Sequence, residues 1–189
     1  MRLRARPRDS SARCPRAIRA HEAQGQGERA LAAIDGFLRQ FPKDAASPGL
    51  ELRRGQLLAG ARRWDAAQKA FEVARGADDP PVAAEAEFWL GEALRARGDH
   101  EGAISAYLGA TYAYPESSWA ARGLQGAAQA YVARQMDREA GIVLRKLAAR
   151  PGVDPALAQW ARDSLARLGP AAAPAPTAPA SGATPAPKP

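Results

Sequence analysis

The sequence predicts an all-α fold: a solenoid of about four helix pairs closed by a C-terminal capping helix. Three observations carry that prediction. Residues recur in register every 36 or 37 positions; each unit holds two apolar-periodic stretches; and Gly, Asp and Pro fall where those stretches begin and end. The clearest unit contains Leu90, Gly91, Gly98, Ala103, Tyr107, Ala110 and Pro115. Thirty-six residues earlier stand Gly55, Ala67, Phe71 and Ala74, with Trp64 in the helix-start position of His100. A further 37 upstream, Gly25, Ala30, Ile34 and Pro42 occupy the same slots, with Phe37 in place of the last small residue. Thirty-seven downstream, Tyr131, Ala140, Leu144 and Leu147 continue the series.

Taken in order, the elements are as follows. Residues 1–20 are Arg-rich without helical periodicity and are expected to be disordered, ahead of a solenoid spanning 21–169. The first unit, about 11–47, is the poorest, because its leading helix has to contain Cys14, Pro15 and Arg16. Units two and three fall at about 48–83 and 84–120. In the third, Ala103, Tyr107 and Ala110 share one helix face at i, i+4, i+7. Gly98 accepts a left-handed backbone at the end of one helix, and Asp99 caps the next. Pro115 stops the second helix, and Ser117 or Ser118 can start the following one. Asp78 and Asp79 before Pro80 and Pro81 also mark a helix start, since Pro suits the first helical position. The fourth unit is about 121–153. A capping helix over 154–168 places Leu157, Trp160, Ala161, Ser164 and Leu165 on one face, with Arg162 and Arg167 outside. The Ala/Pro-rich segment 170–189 cannot bury a core and reads as an extended, disordered spacer.

Small residues at Gly91 and Ala103 have a mechanical reading: two helices approach closely there while Tyr107 fills the groove beside them. A phosphate cradle at Gly91 and Gly98 would need a preceding strand and a following Lys, and neither is present.

These residues resemble the tetratricopeptide repeat, whose pattern has small residues at the helix crossing, an aromatic in the second helix and a closing Pro. The likeness extends over about residues 25–150 and is best in 84–117. The resemblance implies a right-handed α-solenoid that binds a protein segment on its concave wall. Matching the ligand-facing slots one by one gives Leu52 and Gln56, then Phe88, Glu92 and Arg95, then Gln125 and Gln129. A chaperone-tail clamp of this family would use Asn and Lys on that wall; the chain contains no Asn, and its Lys at 43, 69, 146 and 188 fall outside those slots. The spacing, with FPKDAASP, YPESSWAARG and FWLGEALRARGDHEGAISAY, is similar to one branch in particular: bacterial envelope proteins that include the Tol–Pal-associated cell-division coordinator and the outer-membrane assembly lipoprotein.

Composition narrows the function classes. The net charge is +7, but residues 1–20 hold seven Arg and one Asp, so the remainder is nearly neutral. A polyanion groove needs basic residues clustered on a folded face, so nucleic acid is a poor partner for the solenoid, and the basic arm is the alternative route to one. Cys14 is the sole cysteine and can form no internal disulfide. With no apolar run of about 18 residues, no spanning helix is expected. The leader lacks an apolar segment after its charges, which points to the cytoplasm for a chain starting at Met1, and to the periplasm or outer membrane if the start lies upstream.

His21 and His100 fall in different units, so a metal site or a His-based triad has little to build on. His100 is expected at a solvent-facing helix start, and Glu85, Glu87 and Glu92 along a solvated face. GxSxG, P-loop and HExxH patterns do not occur. The expectation is a non-catalytic adaptor with no cofactor or metal and a protein partner; accessory domain of a larger enzyme is the alternative.

Overall fold

The structure, a computed structural model, describes residues 16–172. Within them the chain is an α-helical repeat solenoid, as its periodicity predicts. Helix α1 covers 16–23. It is followed by α2 (Gly27–Gln40), α3 (Ser47–Gly60), α4 (Trp64–Ala74), α5 (Pro80–Ala96) and α6 (His100–Tyr112). Then come α7 (Trp119–Ala133), α8 (Asp137–Ala148), α9 (Pro155–Leu168) and a 3-10 turn at Gly169–Ala172. The expected disorder of 1–20 and 170–189 lies outside the described residues for 1–15 and 173–189. Residues 16–20 are instead helical, and 170–172 form part of the turn that closes the fold.

The repeat register is visible in burial. Ala30, Ala67, Ala103 and Ala140 are wholly buried, and so, four residues on, are Ile34, Phe71, Tyr107 and Leu144. Phe37, Ala74, Ala110 and Leu147 complete the same buried face one turn later. Ile18, on α1, packs with Ala30, Ile34, Phe37 and Leu50 in a small core of its own, which gives the first pair a packed interior despite its weak pattern. A second, larger cluster of buried residues runs continuously from Leu31 to Ala161.

The turns inside the pairs repeat as well. Gly25, Arg62, Gly98 and Gln135 stand in equivalent positions with φ of 68°, 58°, 84° and 59°. All four are left-handed, though only two are glycine. After Gly98, Asp99 caps α6 by accepting a hydrogen bond from the Gly102 amide at 2.9 Å. Ser117, rather than Ser118, supplies the hydroxyl that accepts from the Trp119 amide at the start of α7. Pro80 and Pro81 open α5 after Asp79.

Each helix packs on its chain neighbours, and α5 additionally touches both α3 and α7. The outer helices α4, α6 and α8 make no comparable contact with one another, so the first helices of the pairs form the inner wall. At the C-terminal end α9 buries Ala158 and Ala161, with Leu157, Trp160, Leu165 and Leu168 half-buried against the last pair. The chain then reverses at Gly169 and lays Ala172 on Gly141 of α8.

Candidate partner-binding face

The inner wall is laced by polar side chains that link successive units. Arg53 Nε donates to Glu22 Oε1 at 2.6 Å and Arg53 Nη1 donates to Gln56 Oε1 at 2.9 Å. Gln56 Nε2 in turn donates to Glu85 Oε1 at 2.7 Å, and that oxygen also accepts from Trp89 Nε1 at 3.3 Å. One chain of hydrogen bonds thereby ties α1 to α3 and α3 to α5.

One turn further along α5, Glu92 and Arg95 close a triangle with Tyr107 of α6. The Tyr107 hydroxyl donates to Glu92 Oε1 at 2.5 Å and accepts from Arg95 Nε at 3.2 Å, while Arg95 Nη2 meets Glu92 Oε2 at 2.6 Å. The hydrogen bond to Glu92 holds Arg95 more firmly cationic than a free arginine. Burial, and then the neighbouring Glu92 carboxylate, push the Tyr107 phenol upward, so it remains a protonated donor. This geometry positions charge rather than activating it: every group is committed to another.

Phe88 lies beside that triangle at the centre of an aromatic cluster, with ring centroids 5.8 Å from Trp89, 5.8 Å from Tyr107 and 5.0 Å from Trp119. It is half-buried and therefore serves packing as well as surface. Trp89 stacks on Phe71 of the preceding unit at 6.3 Å, and the Arg122 guanidinium lies 5.0 Å from the Trp119 ring. On α7, Gln125 is half-buried and Gln129 exposed, and neither makes a side-chain hydrogen bond among the described residues. Gln129 borders a cavity of about 370 Å³ whose apolar lining includes Val132, Leu144, Trp160 and Leu168.

Six of the seven wall residues expected from the sequence are thus surface or half-buried side chains of α3, α5 and α7. Leu52 is the correction: it is buried in the main cluster, because α3 turns that face toward the core rather than to solvent. The glutamates of α5 also depart from a solvated face. Glu85 accepts two hydrogen bonds, Glu92 is held by Tyr107 and Arg95, and Glu87 is nearly buried beside Arg75 at 3.4 Å. His100 is half-buried instead of solvent-facing, and its Nδ1 has no partner. Trp119, Arg122 and Val132 were missed by slot matching. The signal for Trp119 and Arg122 is the i, i+3 spacing of an aromatic and a cation at the start of α7.

Gly91 cannot serve a phosphate, since the Tyr107 ring covers it. Among the described residues no group of three His, Cys, Asp or Glu is arranged to hold a metal ion, and no helix is long and apolar enough to cross a membrane.

With that wall built from the first helix of each pair, the comparison with known families is specific to its middle. Residues 52–118 match the tetratricopeptide repeat family model. The stretch spans most of α3 through the turn after α6, the two pairs in which Gly55 faces Phe71 and Gly91 faces Tyr107. No curated protein matches the chain. Tetratricopeptide repeats are protein–protein interaction modules and typically non-catalytic scaffolds, which supports a scaffold role and a protein partner.

Proposed function

We propose that this protein is a non-catalytic adaptor that holds a segment of another protein against the inner wall of its tetratricopeptide solenoid. The observation that supports it is the α7 surface. Gln125 and Gln129 carry amides with no partner among the described residues, and Gln129 borders an apolar cavity lined by Trp160 and Val132. Uncommitted amides next to an aromatic anchor suit a peptide that inserts an apolar side chain while its backbone is hydrogen-bonded. Phe88, Glu92, Arg95 and Gln56, by contrast, are largely engaged with neighbouring side chains, and contribute shape and a fixed charge pattern.

The test is a double substitution, Gln129→Lys with Val132→Asp, compared with Glu72→Lys on the outer helix α4. All are exposed side chains, so thermal unfolding should be unchanged within about 0.5 kcal/mol. Proteins that co-purify with the tagged chain from its native cells should be lost with the inner pair and retained with the outer change. Equal recovery with both variants contradicts the assignment.

The setting we propose is the bacterial cell envelope, at the periplasmic or outer-membrane side. Its support is the likeness of FPKDAASP and YPESSWAARG to envelope repeat proteins. Fractionation of the source cells tests it: recovery in the envelope fraction agrees, and recovery in the cytosol rejects it.

A further inference from the structure

A second concave surface lies at the edge of the solenoid, apart from the inner-wall cavity. It is a pocket of about 560 Å³ where the start of α5 meets the end of α6 and the start of α7. Tyr114 and Trp119 supply flat rings, Pro80, Pro81 and Pro115 an apolar floor, and Glu85 and Glu116 the only charged groups in its lining. A groove of aromatic and proline surfaces favours the polyproline II helix, whose rings lie flat on aromatic faces and whose preformed shape loses little entropy on docking.

The chain itself carries such a segment, and the fold delivers it nearby. Ala172 is buried on α8, where its carbonyl accepts from Arg145 Nη1 at 2.8 Å and where a Cβ on Gly141 would collide with it. Arg150, just past the same helix, donates to the carbonyl of Pro115 in the pocket wall. Gly141 and Arg150 are nine residues apart, roughly 14 Å at the rise of a helix. Ala172, the last described residue, and the pocket wall are therefore joined through the same helix, α8. The 17 residues 173–189 include six prolines and a single charged side chain, Lys188. Extended as polyproline they span about 50 Å, and as a flexible coil roughly 22 Å, so reach is ample in either regime. Lys188 complements the pair Glu85 and Glu116.

We propose that residues 173–189 of this same chain dock in the Tyr114–Trp119 pocket as a polyproline segment, with Lys188 toward Glu116. The site shares Glu85 and Trp119 with the inner wall but neither Gln125 nor Gln129 nor the cavity beside Gln129, on which the partner-binding assignment rests, so the two can be tested separately.

The experiment uses the full chain with Cys14→Ser and Ala183→Cys, a nitroxide on the new thiol, and proton NMR of the four tryptophan indoles. The Trp119 indole signal should lose at least half its intensity relative to the diamagnetic control, while Trp64, two units away, keeps its own. Glu116→Lys should restore most of the Trp119 signal, and raising the salt should do so in part. Equal broadening of Trp64 and Trp119, or none at either, overturns the proposal. So does equally strong broadening when the nitroxide sits only on an unobserved second molecule, because that assigns the pocket to a neighbour's tail.

Discussion

A Cβ placed on Gly91 would lie 2.6 Å from the Cδ1–Cε1 edge of the Tyr107 ring, and one on Gly126 would meet the same edge at the same distance. That ring edge is packed close against the backbones of both α5 and α7. Gly55 stands in the same relation to Phe71 one unit earlier. The small residues therefore exist for the ring that the repeat places in the second helix of each pair.

That relation sets two helix glycines against each other. Gly91→Ala gains roughly 1 kcal/mol of helix propensity but overpacks the ring contact, a cost of about 1–3 kcal/mol that displaces Tyr107. The net expectation is a loss of stability. Gly36→Ala, in α2 with open space around it, should gain about 0.5–1 kcal/mol. Chemical denaturation of the two variants checks the sign of each.

Tyr107→Phe removes the hydroxyl that Glu92 and Arg95 share while leaving the ring in place. The Glu92 oxygen then loses its donor in a half-buried setting, and a cost of about 1–2 kcal/mol follows. Denaturation midpoints measure it. No change would show that water replaces the hydroxyl without penalty.

Glu87, like Glu51, carries a pH dependence that the structure makes visible. Burial raises its carboxyl above the usual 4.5, and the Arg75 guanidinium only partly offsets that. The folded state therefore binds this proton more tightly than the unfolded chain does. The associated stability is present below pH 4.5 and is lost as pH rises through the higher folded value. Glu87→Gln should flatten the stability profile in that window and leave the protein no less stable at pH 7. A steeper loss of stability in the variant at neutral pH would mean that the Arg75 pair outweighs burial.

Arg62 and Gln135 hold left-handed conformations that glycine adopts freely at the equivalent Gly25 and Gly98. Arg62→Gly, on an exposed turn, should therefore stabilise by roughly 0.5–1 kcal/mol, read as a higher Tm. A drop in Tm would show that the arginine contacts at the turn outweigh its backbone strain.

Much of the fold was legible in the sequence because packing in a repeat is periodic. Ala103, Tyr107 and Ala110 share a face at helical spacing, and the same slots recur at Ala67, Phe71 and Ala74. The Gly98–Asp99 turn was equally readable, since each residue type has a backbone reason to stand there. The left-handed Arg62 and Gln135 were not, because neither residue type signals that conformation. The wall was read less well. Slot matching identifies the inner helix but not the rotation of each side chain, so Leu52 was placed outward while the helix buries it. Glu85, Glu87 and Glu92 looked solvated because their partners, Gln56, Arg75 and Tyr107, come from other helices at distances in sequence that periodicity does not report. Trp119 and Trp160, which border the two concave surfaces, gain their meaning only from what the folded chain sets opposite them.

We propose that the inner wall at α7 receives a protein segment. The most direct measurement places a photo-reactive amino acid at Gln125 or Gln129, and separately at Lys69 or Glu72 on the outer helix α4, in cells that produce the protein. One and the same polypeptide adduct is expected from both inner positions and none from the outer ones. Adducts of equal yield from both faces, or an inner-face adduct with nucleic acid instead of protein, would contradict it.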